Sequence, residues 1–329
     1  MRKNVTQAFL RVLLPSSVFC FPAFAQEAKP ARDLDLIIVV GAPGEEEYGK
    51  KFRQSADDWT KAAEKAGVRH AVIGIEGKSD AEEDFHTLQK QLTTAAQKQS
   101  GPLWLALIGH GTFDGRQAKF NLRGRDVTPE EVGRWLKETK REIVLVAGGS
   151  ASAAFIQALY GPGRVIVSAT KSADEVFYAR FGGHFSAAIG GLPEADLDQD
   201  KQVSVLEAFL FASRKAREFY ENDGRLATEH ALIEDNGDGI GTRSELFRGV
   251  VAEPVKDGPK PDGDRARQIA LVLSDGEAKL PETLRKRRDE IENEVRTLNE
   301  KKAQMPEADY YRELERLMLE LALLYEENS

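Results

Sequence analysis

Five short, continuously apolar runs punctuate the first half of the chain: "LDLIIVV", "HAVIGI", "PLWLALI", "EIVLVA" and "RVIVSAT". None alternates polar with apolar residues, and turn residues bound each one, the pattern of strands buried on both faces. Segments of helical spacing separate them. Phe52, Ala56, Trp59 and Ala63 mark the first, which closes at Gly67. The second opens at Ser79 or Asp80 as cap and closes at Gly101. "PEEVGRWLKETK" and "SAAFIQALYG" supply two more. Strand–helix alternation predicts an α/β fold, a doubly wound and mostly parallel sheet with helices on both faces. Ligands of such sheets bind beyond the carboxyl ends of the strands. Those ends carry Gly41–Gly44, Gly109–Thr112, Gly148–Ser152 and Ser168–Lys171.

The pattern changes beyond residue 184. An acidic loop precedes a helical segment from Val203, and "EDNGDGIG" is a second acidic turn. The α/β domain is predicted over 34–252. Residues 253–269, rich in Pro, Gly and charge, read as a linker. The tail, 270–329, predicts an antiparallel helical hairpin of coiled-coil type broken near Pro306. Leu284, Ile291, Val295 and Leu298 form one stripe; Tyr311, Leu314, Leu317, Leu319 and Leu323 are expected to form its partner.

The amino terminus changes the picture of where the protein works. A basic start, an apolar run and "AFA" before Gln26 predict a signal peptide over 1–25, cleaved after Ala25, with a linker over 26–33. The mature protein is therefore expected to be periplasmic or secreted. Cleavage removes Arg2, Lys3 and Arg11 and no acidic residue, taking the formal charge from −8 to −11. Such acidity makes nucleic acid a poor partner. The single cysteine, Cys20, goes with the leader, so no disulfide, thiolate nucleophile or Cys-ligated metal remains. No later run is long and apolar enough to cross a bilayer.

Candidate chemistry lies at the strand ends. Gly44–Lys51 nearly spells a phosphate-binding loop, but three glutamates stand where phosphate oxygens would sit and Lys51 replaces the magnesium-binding hydroxyl, so no nucleotide is expected. His110 and Gly111 follow the third strand. The imidazole there suits a general base, and the Gly111 amide suits an oxyanion donor. His70, His86, His184 and His230 have no comparable setting. Ser150 follows the fourth strand, either as a nucleophile using His110 or, with Ser152, as a cap of the next helix. Asp196, Asp198, Asp200, Gln202, Ser204 and Glu207 fall at the ligand positions of a twelve-residue calcium loop, with Lys201 in place of the turn glycine. A solvated acidic turn capping the helix is the alternative. Glu234, Asn236, Asp238 and Glu245 repeat that spacing less completely.

"LIGHG", "VLVAGGSASAAF" and "RVIVSATKSADEVFYARFGGHF" together resemble the caspase- and legumain-like cysteine peptidases, nearest to the bacterial C13-type proteins. The likeness spans about Leu34–Gly249 and leaves the tail as an addition. The resemblance implies that His110 is the base, Gly111 an oxyanion donor and Ser150 the occupant of the nucleophile's place. It implies a substrate pocket around Ser168, Thr170, Asp174 and Arg180. The serine is the departure, since a hydroxyl does not ionise near neutral pH. The acidic residue that precedes the family's nucleophile is also absent, with Gly148 and Gly149 in its place. The expectation is a pseudoenzyme that keeps a cleft for a peptide or protein ligand and is braced by calcium. A serine-type hydrolase and a scaffold acting through its hairpin are the alternatives.

Overall fold

The computed structural model describes residues 32–75 and 83–326, with only the backbone of 325 and 326. The signal peptide expected over 1–25 and the expected caps Ser79 and Asp80 lie outside them. Seven strands form the central sheet in the order β2-β1-β3-β6-β7-β8-β9. They are β1 (Arg32–Val40), β2 (Val68–Ile73), β3 (Leu103–Ile108), β6 (Ile143–Ala147), β7 (Arg164–Ser168), β8 (Leu232–Glu234) and β9 (Thr242–Arg243). The first five run parallel, as their apolar runs predict, and β8 and β9 add an antiparallel edge. Two small ribbons, β4 (Gly111–Phe113) with β5 (Ala118–Phe120) and β10 (Phe247–Arg248) with β11 (Val251–Ala252), lie apart from the sheet.

Alternate strand residues point to opposite faces and so divide the core in two. On one face Leu36, Ile38, Trp104, Ala106, Val144 and Val146 pack against α1 (Glu46–Ala66), α5 (Phe181–Ile189) and α6 (Val205–Asn222). On the other, Ile37, Val39, Leu105, Leu107 and Leu145 meet α2 (Glu83–Ala96), α3 (Pro129–Trp135) and α4 (Ala154–Leu159). Helix α5 was not expected, because Gly182 and Gly183 stand in its first turn. Burial overrides that weak propensity, with Phe181, Phe185, Ala188 and Ile189 all in the core. A Cβ at Gly182 would lie 2.8 Å from the Gly148 Cα, so glycine here permits the helix to touch the strand end.

The tail forms α7 (Glu282–Lys301) and α8 (Glu307–Glu326), separated at Pro306. The partner stripe differs from the expected one. Tyr310, Leu314, Leu317, Leu321 and Leu324 meet Ile291, Val295 and Leu298, at alternating spacings of four and three. Tyr311, Leu319 and Leu323 face solvent. The expected linker 253–269 is also anchored over its second half. Asp262 and Ala266 are buried, and Asp235 accepts hydrogen bonds from the amides of Gly263, Arg265 and Ala266. Arg32 at the head of β1 binds the Leu271 carbonyl, and Arg265 pairs with Glu142 just before β6. This strap therefore runs past the amino ends of the strands.

Candidate functional site at the carboxyl edge of the sheet

β3 and β6 are adjacent and parallel, with Leu107 beside Ala147. His110 and Ser150 each lie three residues beyond that pair, so both follow the same edge of the sheet. The edge between β1 and β3 is also where the chain reverses its direction of strand addition, the crevice that open α/β sheets use for ligands.

Aromatic rings from two other elements surround the His110 imidazole. Tyr48 and Phe52, one turn apart on α1, approach it edge-on at 4.8 and 5.1 Å between centroids. Tyr178, from the segment before α5, lies at 5.9 Å. Burial among these rings pulls the imidazole below the usual histidine range, against a hydrogen bond to the Pro43 carbonyl and the charge of Glu45, which favour the proton. A neutral imidazole at pH 7 follows from that direction. Lys51 extends over Tyr48 and Tyr178, at 5.5 and 5.3 Å from their ring centres, and pairs with Glu47.

Ser150 is buried, at 3% exposure. Its Oγ accepts the Gly111 N–H at 3.0 Å and donates to the Gly111 carbonyl at 2.9 Å. The hydroxyl proton is thereby directed at a carbonyl rather than at the imidazole. The Gly111 amide, expected to hold an oxyanion, is occupied by the same hydroxyl. Ala151 has φ 52°, a left-handed conformation that is strained for a residue with a Cβ, and its amide binds the Glu175 carbonyl.

Neither serine caps α4. The helix starts at Ala154 with Ala153 before it, and no side chain caps it. Ser152 Oγ instead accepts the Ala169 N–H at 3.0 Å. Ser168 and Thr170, which the resemblance places in a substrate pocket, turn their hydroxyls to backbone groups. Both are fully buried: Ser168 Oγ donates to the Thr170 carbonyl, and Thr170 Oγ1 receives the amides of Ser152 and Ala153. Thr170, just beyond β7, thereby ties that strand end to the turn carrying Ser150. Asp174 is exposed, and Arg180 stacks over the Phe219 ring at 3.7 Å.

The space beside the His110 strand end, lined by Phe52, Gly109, Gly148 and Tyr178, holds only about 20 Å³, room for one water. A larger cavity of about 420 Å³ lies beyond the Ser150 turn, between α4, residues 171–173 and β8. Val176 and Phe177 stand exposed, at 45% and 67%, next to Tyr178.

Two partners of this edge carry no motif: Glu229 is not among the sequence's candidates, and His230 is there given no comparable setting. Glu229 is buried and accepts the amides of Arg180 and Phe181 and the Tyr220 hydroxyl, closing the start of α5. Burial nonetheless raises its carboxyl above the usual range. His230 joins its ring to Glu175, whose carbonyl holds Ala151. Only their position beside each other near an apolar strand marks them in the sequence.

The acidic loops lie on the opposite edge. Asp196, Asp198 and Glu207 bring one carboxylate oxygen each within 4.8 Å of one another. Glu207 is 2% exposed and receives the amides of Leu197, Asp198 and Ser204. Burial raises its carboxyl above the ordinary range even so. Asp200 accepts the Gln202 amide at 2.8 Å, and the Gln202 side-chain oxygen accepts from Ser274. Ser204, expected to act through water, is the N-cap of α6 in a capping box with Glu207. Lys201 adopts φ 69°, the left-handed turn that its position requires despite the missing glycine. Glu234, at the end of β8, is fully buried, while Asn236, Asp238 and Glu245 are exposed.

Among the described residues no helix is long and apolar enough to cross a membrane. No protein-family model matches the chain, and no curated protein matches it. Among solved structures, protein GSU0716 from Geobacter sulfurreducens is similar with a TM-score of 0.40 at 11% identity, over 65% of this chain and 98% of that one. The Drosophila initiator caspase Dronc is similar with a TM-score of 0.39 at 11% identity, over 73% of this chain and 96% of that one.

Proposed function

We propose that the protein is a secreted or periplasmic, degenerate caspase/legumain-like domain, a pseudoenzyme that holds a peptide or protein ligand at the carboxyl edge of its sheet without cleaving it. The bond pattern of Ser150 carries this reading. A serine becomes nucleophilic when a base draws on its proton, and here that proton goes to the Gly111 carbonyl. His110, wrapped by Tyr48, Phe52 and Tyr178, serves as part of an apolar binding wall. Val176 and Phe177 supply exposed apolar surface beside it. Calcium in loop 196–207 belongs to the same reading, bracing the fold from the far edge through the clustered Asp196, Asp198 and Glu207.

A fluorophosphonate probe and a peptide-cleavage screen test the proposal together. The expected result is no label at Ser150 and no cleavage, with peptide binding weakened by Phe177→Ala. Labelling at Ser150, with cleavage abolished by both His110→Ala and Ser150→Ala, would instead establish the serine-type hydrolase.

A further inference from the structure

One carboxylate in the second acidic loop lacks a hydrogen-bonding account. Glu234 is 0% exposed. Its Oε1 accepts the amides of Gly237 at 2.7 Å and Gly239 at 3.4 Å, which turns the carboxylate into the loop. Its Oε2 is buried and has no hydrogen-bond partner among the described residues. A bare carboxylate oxygen inside a protein is strongly unfavourable unless a cation or donor meets it.

The surrounding chain repeats the template of the first loop. In 196–207, Asp196 accepts the Lys201 amide, Asp198 that of Asp200, and Asp200 that of Gln202. In 234–245, Glu234 accepts the Gly239 amide, Asn236 that of Asp238, and Asp238 that of Ile240. The fourth and sixth positions are left-handed in both, with φ 63° and 69° at Gln199 and Lys201 and 84° and 77° at Gly237 and Gly239. The leading carboxylate of the first loop also keeps a buried, unpartnered oxygen, Asp196 Oδ1.

We propose that loop 234–245 is a second calcium site, anchored by the free Oε2 of Glu234. Asn236, Asp238 and the Ile240 carbonyl supply further oxygen donors; the exposed Glu245 carboxylate, which is not gathered with those of Glu234 and Asp238, swings in from position twelve to close the set. An all-oxygen set of carboxylate, amide and carbonyl donors at this spacing suits calcium better than magnesium, which demands a smaller and stricter octahedron. The loop is tied to the rest of the fold at several points. Gln157 donates to the Gly239 carbonyl at 2.7 Å, Gly239 rests on the Tyr160 ring, and Asp262 accepts the amides of Asp235 and Asn236. A bound ion therefore clamps the β8–β9 edge to α4 and to the strap at 262–266. The site is independent of the peptide-binding reading.

Calorimetric titration of the chelator-stripped full chain with calcium tests it, alongside thermal unfolding in calcium and in chelator. Wild-type protein is expected to bind two equivalents, each raising the midpoint by roughly 5–10 °C at a hundredfold excess of calcium over its dissociation constant. Asp238→Ala, at an exposed position, should lose one equivalent while its circular dichroism is unchanged; Glu234→Gln should do the same. Asp198→Ala should lose the other equivalent. A single equivalent that only Asp238→Ala removes would support this site and sink the one at 196–207. Unchanged stoichiometry in Asp238→Ala, or no calcium bound by the wild type, would overturn the proposal. Magnesium binding as tightly as calcium would overturn the choice of ion.

Discussion

A hydroxyl has one proton to give, and Ser150 gives it to the carbonyl of the residue whose amide it also accepts. That two-way bond joins the strand ends of β3 and β6 across 39 positions of sequence. The fit is close, since a Cβ on Gly111 would lie 2.2 Å from the Ser150 carbonyl oxygen. The serine is thus a brace between two loops, whatever else it does. Ser150→Ala removes both partners at once and leaves a buried amide and carbonyl unsatisfied. It should lower stability by about 1–3 kcal/mol in urea unfolding. A change below about 0.5 kcal/mol, the ordinary range for an inconsequential surface substitution, would show that the brace is not structural.

At the scale of elements, the hairpin offers a sharp comparison. Leu317 is 1% exposed between α7 and α8, whereas Leu319, two residues on, is 59% exposed. Leu317→Ala should destabilise the hairpin by about 2–4 kcal/mol and Leu319→Ala hardly at all, read from thermal melts and from proteolysis within 282–326. Equal effects would refute the observed stripe. The hairpin also shows what the sequence makes legible. Its two helices and the break at Pro306 follow from periodicity, but α8 has apolar residues on several faces, so spacing alone does not choose which face is buried. The five parallel strands are legible because burial on both sides leaves unbroken apolar runs. β8 and β9 are not, because three and two residues carry no period. The same holds at the site. His110 and Ser150 are readable as strand-end residues. The rings around His110 come from 48, 52 and 178, and only tertiary packing brings them together. The resemblance, not any local pattern, puts Ser168 and Thr170 in a substrate pocket; their hydroxyls are instead taken up by nearby backbone, the Thr170 carbonyl for Ser168 and the Ser152 amide for Thr170.

Across the whole molecule, the two edges of the sheet divide the work. The carboxyl edge carries His110 and Ser150, while fastenings gather at the amino edge, where the strap, both acidic loops and an ionic knot meet. In that knot Arg141, with no side-chain exposure, pairs with Asp35 at 2.8 Å and donates to the carbonyls of Ala95, Gly101 and Pro102. Arg69 and Lys98 complete the shell around Asp35. Burial alone would raise the Asp35 carboxyl, but hydrogen bonds from Arg69, Lys98 and Arg141 outweigh it and bring the pKa down to about 2. The native state therefore holds the ionised form more tightly than the unfolded chain does. The resulting stability is present above the unfolded value of about 4 and is lost as pH falls toward 2. Arg69 and Lys98 are half-exposed and screened, which reduces the effect to about 1–2 kcal/mol. Asp35→Asn should lower stability at pH 6 because it leaves Arg141 buried without its counter-charge. It should also flatten the acid limb, so that the gap between variant and wild type narrows from pH 4 to pH 2. Urea titrations at those three pH values read both. A gap that stays constant across them would mean that Asp35 is not the group whose protonation loosens this edge.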